Sequence, residues 1–149
     1  MTARKRHHFL TKNPEYKYIQ DSQKDPHINE RITQKSLALL EKQLSTIRAS
    51  KNGAKKNICS VIHMLPLAEL YPKKPIFNTT IAFMGSKHYG ELYDKYQVKL
   101  CVCAHSHQRM TLDKHQTRYV NVSLGHNFKW RYKTNLYQEL LNTIYVLNL

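Results

Sequence analysis

The sequence is short of four things at once: acidic residues, glycine, cysteine and unbroken apolar length. Ten Asp and Glu face 24 Lys and Arg over 149 residues, a formal net charge of +14. Glycine occurs only at positions 53, 85, 90 and 125, too scattered for a P-loop or a dinucleotide fingerprint. The three cysteines, Cys59, Cys101 and Cys103, form no Cys-x-x-Cys pair. An odd set of this kind, two of them inside apolar segments, favours reduced core thiols over a disulfide framework. The longest apolar run, Leu100 to Ala104, falls far short of the roughly 20 residues that span a bilayer. Met1–Leu10 is basic where a signal peptide needs an apolar stretch. The expectation is a soluble, cytoplasmic chain with no membrane partner, long enough for one domain with a core.

What is abundant is positive charge. Phosphate backbones attract Lys and Arg, so nucleic acid is a natural partner to consider. The basic residues are spread, however, over Arg4-Lys5-Arg6, Lys12, Lys17, Lys51–Lys56, Lys73-Lys74 and Lys129–Lys133. No zinc-finger spacing or aromatic RNA-binding strand accompanies them. A solvated basic surface is the plainer account, and a phosphate-bearing substrate would suit the same field.

Residues 1–24 are polar and basic without a period and predict an N-terminal arm. Asp25-Pro26 then opens a helix by capping and by proline at the first helical position. Ile32, Leu37, Leu40, Leu44 and Ile47 recur at helical spacing until Asn52-Gly53 stops them. Asn57–His63 is short, β-branched and apolar, and predicts a buried strand that ends at a histidine. Pro66, Pro72 and Pro75 break the next stretch into loop. Ser86 caps a helix over Lys87–Tyr96, and Val98–Cys103 predicts a second buried strand. Further strands are expected at Tyr119–Ser123 and Thr143–Leu147. The fold class is α/β.

Both apolar strands run into histidines: His63 after the first, then Ala104-His105-Ser106-His107 after the second. In open α/β sheets ligands bind beyond the carboxyl ends of the strands. If residues 105–107 are extended, His105 and His107 lie roughly 6.5 Å apart on one side, a spacing suited to two metal ions about 3.5–4 Å apart. Neutral imidazole suits Zn, Fe and related metals. A single zinc held by His63, His105 and His107 is the alternative, and hydrogen-bonded or surface histidines are the ordinary one. Cys101 and Cys103 cannot join both histidines round one zinc, because an extended stretch from Cys101 to His107 covers roughly 20 Å.

Ile58-Cys59-Ser60-Val61-Ile62-His63-Met64-Leu65-Pro66, Cys101-Val102-Cys103-Ala104-His105-Ser106-His107 and Tyr119-Val120-Asn121-Val122-Ser123-Leu124-Gly125 together resemble the last blocks of the calcineurin-like metallophosphoesterase family. The resemblance covers about 57–125, with the helix at 26–49 where that family places one. It implies a partial four-layer α-β-β-α sandwich, residues 25–149 forming its C-terminal half. It further implies metal-dependent hydrolysis of phosphoesters, with divalent Mn, Fe or Zn as cofactor. His63 and His105 would ligate one ion and His107 the other. Two such cations polarise phosphoryl oxygens, activate water and stabilise the charge of an in-line displacement.

The chain departs from the family pattern in two ways. Ala104 stands where the family's Gly-His-x-His block has glycine. The Asp-x-His, Gly-Asp and Gly-Asn-His blocks are missing, since Asp25-Pro26-His27 has no apolar strand before it. No catalytic residue is therefore assigned, and activity of these residues alone is doubtful. The expected partners are a phosphoester substrate and either a second copy or a missing N-terminal half. Nucleic acid is the less favoured partner, and a non-catalytic basic binding or interaction module is the competing function.

Overall fold

A computed structural model describes residues 27–71, 84–125, 130 and 135–146. The chain divides into two compact units, Met1–Gln43 and Leu44–Leu149. The sheet and His63, His105 and His107 belong to the second. The predicted arm at 1–24 and the helix-opening Asp25-Pro26 lie outside the described residues.

Helix α1 spans Ile28–Ala49, with Glu30 in its first turn and Arg48 in its last, the charge arrangement that its dipole favours. Of the predicted stripe, Leu44 is buried and Ile32 exposed. At the C-terminus, Arg48 donates to the carbonyls of Gly53, Lys56, Tyr96 and Gln97 at 2.7–2.9 Å. One guanidinium thereby ties the approach to the first strand to the approach to the second.

Four strands form one mixed sheet: β1 (Cys59–Val61), β2 (Leu100–Cys103), β3 (Arg109–Lys114) and β4 (Thr117–Val122), in the order β1-β2-β4-β3. β1, β2 and β4 are parallel, and β3 runs antiparallel to β4. With its helices the chain is an α/β protein, as expected. The strand predicted at Asn57–His63 is shorter than the apolar run. Helix α2, Lys87–Lys95, follows the predicted cap: the Ser86 hydroxyl accepts from the His88 amide at 3.3 Å. Gly90 lets α2 approach the preceding loop, because a Cβ there would lie 2.6 Å from Leu67 Cδ2 and 2.8 Å from the Pro66 carbonyl.

Register places Ser60, Cys101 and Tyr119 side by side on one face, and α2 covers it. Tyr93, fully buried, meets the Ser60 hydroxyl at 2.8 Å, and its ring lies 6.4 Å from that of Tyr119. Burial pushes the Tyr119 phenol up to about 12, so both rings are neutral core groups. Cys101 and Cys103 are buried free thiols on this same face, as expected, whereas Cys59 is exposed on the edge strand. The thiol of Cys101 is raised by the hydrogen bond it shares with Cys103 and by burial, which makes it inert.

Two expectations need correction. Strand β3 lies where none was expected: Arg109–Lys114 alternates exposed and half-buried residues, the pattern of an edge strand with one wet face. It turns into β4 through His115-Gln116, with Lys114 opposite Thr117. The strand expected at Thr143–Leu147 is not formed over the described residues 143–146. Helix α3 (Leu136–Leu141) precedes them, started by Asn135, whose side chain accepts from the Gln138 amide at 3.0 Å. The chain leaves α3 through Thr143 and Ile144 amides bonded to the Leu140 and Leu141 carbonyls. Ile144 and Val146 are 62% and 74% exposed, so no burial rewards a strand there. Among the described residues no helix is long and apolar enough to cross a membrane.

Candidate functional site

The parallel strands β1 and β2 end side by side, and each continues into a histidine. Backbone bonds carry the pairing past the strands: Ile62 N–H to the Val102 carbonyl at 3.0 Å and Ala104 N–H to the His63 carbonyl at 3.4 Å. His63 Nε2 then lies 2.8 Å from His105 Nδ1, with the rings edge to face, 4.7 Å between centroids and 75° between planes. One ring donates in this contact and the other accepts, so at least one imidazole is neutral, the state that binds metals.

The segment that carries His105 and His107 is not extended, which corrects the assumption behind the 6.5 Å spacing. His105 has φ +72° and His107 φ +54°. The Ser106 amide bonds back to the Ala104 carbonyl at 2.9 Å, so His105 sits at the centre of a γ-turn of the rarer, strained form. Each non-glycine residue in such a conformation costs on the order of 1–3 kcal/mol and persists only where its surroundings over-determine it.

The surroundings are visible. Asn121, near the end of β4, is 2% exposed. Its amide nitrogen donates to Ser106 Oγ at 2.6 Å and, more weakly, to the Ala104 carbonyl at 3.4 Å. Its amide oxygen accepts from the Ser123 amide at 3.1 Å and the Ser123 hydroxyl at 2.7 Å. Ser106 and Ser123 are themselves buried, so a closed polar network pins the residue between the two histidines. Behind it, Gly125 adopts φ +77°, and a Cβ there would come within 3.1 Å of the His107 carbonyl. Asn121 and Gly125 belong to the third block of the resemblance, but neither carried an expected role. An Asn at an inward position of a β-branched strand was the available signal.

Of the three expected ligands, His63 and His105 are brought together, and His107, two residues further on, is exposed. Among the described residues no group of three or more His, Cys, Asp or Glu is gathered as a metal would require. The donor set nevertheless suits one cation in part. Two imidazole nitrogens that share a tetrahedral zinc stand about 3.3 Å apart, given Zn–N of about 2.0–2.1 Å. The observed pair is closed to hydrogen-bond length and would have to open by roughly half an ångström. His27, of the Asp-x-His triplet, instead meets Glu30 at 3.1 Å in the first turn of α1.

No family model matches the chain, and no curated protein or solved structure does.

Proposed function

We propose that this chain carries part of a metal-dependent phosphoester hydrolase site of the metallophosphoesterase type. In this reading His63 and His105 hold one divalent cation (Mn, Fe or Zn), and His107 faces a second position. The observation that carries it is the 2.8 Å approach of His63 and His105 across the ends of parallel strands, maintained at the cost of a strained turn. Backbone strain concentrates where function needs a side chain in one place. The four-stranded sheet with α2 on one face then corresponds to one α-β half of the α-β-β-α sandwich. The carboxylate-bearing blocks would have to come from another segment or another chain.

When bound, the cation would polarise phosphoryl oxygens and activate water. The work of this chain's own residues is positional. Ser106, held by Asn121, fixes the His105 backbone. The β1–β2 pairing fixes His63 against it, and Gly125 allows β4 to close behind His107.

Calorimetric titration with Mn²⁺ and Zn²⁺ tests the reading. About one ion per chain is expected, with affinity at least tenfold weaker in His63→Ala or His105→Ala. Turnover of an aryl phosphate with Mn²⁺ should be slight and should vanish in His105→Ala. Affinities that ignore both substitutions would sink the proposal. The basic binding module would be favoured instead if salt-dependent nucleic-acid binding survived them unchanged.

A further inference from the structure

We infer that Arg109 is the anion-binding residue of this site, an orienting contact for a phosphoryl group at the His107 side of the histidine turn, and that buried Glu139 positions it. The inference rests on the phosphoesterase reading for its substrate class, but its geometry is independent of any metal.

Arg109 is the first residue of β3, and β3 runs against β4, so it stands opposite Val122 where the parallel strands end. His107 precedes it by two residues, a separation of at most about 7 Å between Cα atoms. Met110, not Arg109, is the register partner of Asn121. The histidine turn is therefore braced by the Asn121 network on one face of the sheet and flanked by Arg109 on the other.

Its guanidinium is held at one point. Nη1 donates to Glu139 Oε2 at 2.7 Å; the Glu139 side chain is 0% exposed, that of Arg109 30%. Glu139 is its partner among the described residues, although a guanidinium has five N–H donors. The remaining donors form a planar fork that matches phosphate oxygens. A purely structural tie between α3 and the sheet would not need this chemistry, since well-packed apolar residues serve as well as or better than a buried ion pair. With its carboxylate fully buried and the arginine side chain 30% exposed, Glu139 anchors one Nη of the guanidinium at the sheet edge. Arg118 differs: Asp113 takes both its Nε, at 2.8 Å, and its Nη2, at 3.1 Å, near the opposite end of the sheet.

The test is titration of the metal-free protein with inorganic phosphate at constant ionic strength, followed by amide chemical shifts and calorimetry. Wild-type protein should bind phosphate, with the largest shifts in residues 105–109. Arg109→Gln should weaken binding at least fivefold. Arg109→Lys, which keeps the charge but loses the fork, should fall between, and Arg118→Gln should match wild type. Should Arg109→Gln fail to fold because Glu139 loses its contact with Arg109, the double variant Arg109→Gln/Glu139→Gln removes both charges together and answers the same question. Equal phosphate affinity in wild type and the double variant, or shifts distributed over the basic surface, would overturn the assignment. Cation binding by His63 and His105 in that variant reports separately on the phosphoesterase reading.

Discussion

Replacing Asn121 by alanine is the sharpest probe of what holds the histidine turn. The substitution deletes four hydrogen bonds: two donated to Ser106 and Ala104, two accepted from Ser123. The Ser123 and Ser106 hydroxyls are free to rotate, but the Ser123 amide is fixed by the backbone. A stranded buried N–H costs roughly 1–3 kcal/mol, and the bonds lost outright add about 1 kcal/mol, for a total of about 2–4 kcal/mol. Urea unfolding should show a lower midpoint with an unchanged slope. Ser123→Ala removes one hydroxyl and leaves the amide bonded, so it should cost only about 1 kcal/mol. The second readout is local: imidazole resonances of His63 and His105 should lose their mutual contact, and cation affinity should drop roughly 10- to 100-fold. A stability within about 0.5 kcal/mol of wild type, the range of an ordinary surface substitution, would refute the claim that this network maintains the strained turn.

Gly125→Ala places a Cβ within 3.1 Å of the His107 carbonyl on a left-handed backbone, and should lower stability by about 1–2 kcal/mol in the same urea assay. On the acid side, the Arg118 hydrogen bond holds the Asp113 carboxyl below its ordinary range, and Lys114 does the same for Glu69. Because the folded values are depressed, the stability these pairs add is present above the unfolded values and is lost as pH falls below about 4. Asp113→Asn/Glu69→Gln should flatten thermal stability against pH in that window; an unchanged acid limb would show that the pairs contribute nothing.

Much of the scaffold is legible in the residues. The stripe from Ile32 to Ile47, the Ser86 cap and the short apolar run of β2 each announce their element, and each element forms. Where reading failed, burial decided against composition. Arg109–Lys114 is charged enough to pass for loop, yet β4 offers it a full ladder, and only one of its faces has to meet the core. Thr143–Leu147 is apolar enough for a strand, but Asn135 starts a helix just before it, and Ile144 and Val146 stay mostly exposed. Within the site, the pairing of His63 with His105 follows from two parallel strands that end in histidine. The left-handed turn does not, because nothing in a His-x-His spells positive φ. Gly125 and the inward Asn121 are its only traces.

The order β1-β2-β4-β3 also says something about how the molecule comes to be. Strands β3 and β4 meet through a two-residue loop, whereas β1 must find β2 across residues 62–99, α2 among them. Closing the short loop costs less chain entropy, and hairpins form in microseconds. The hairpin of β3 and β4 is therefore expected to form before the longest-range pairing, the one that brings in His63, and φ-values in β4 higher than those in β1 would bear this order out. On that order the contact between His63 and His105 comes at the end of folding, and a chain stopped short of it is expected to keep its hairpin and lack the imidazole pair.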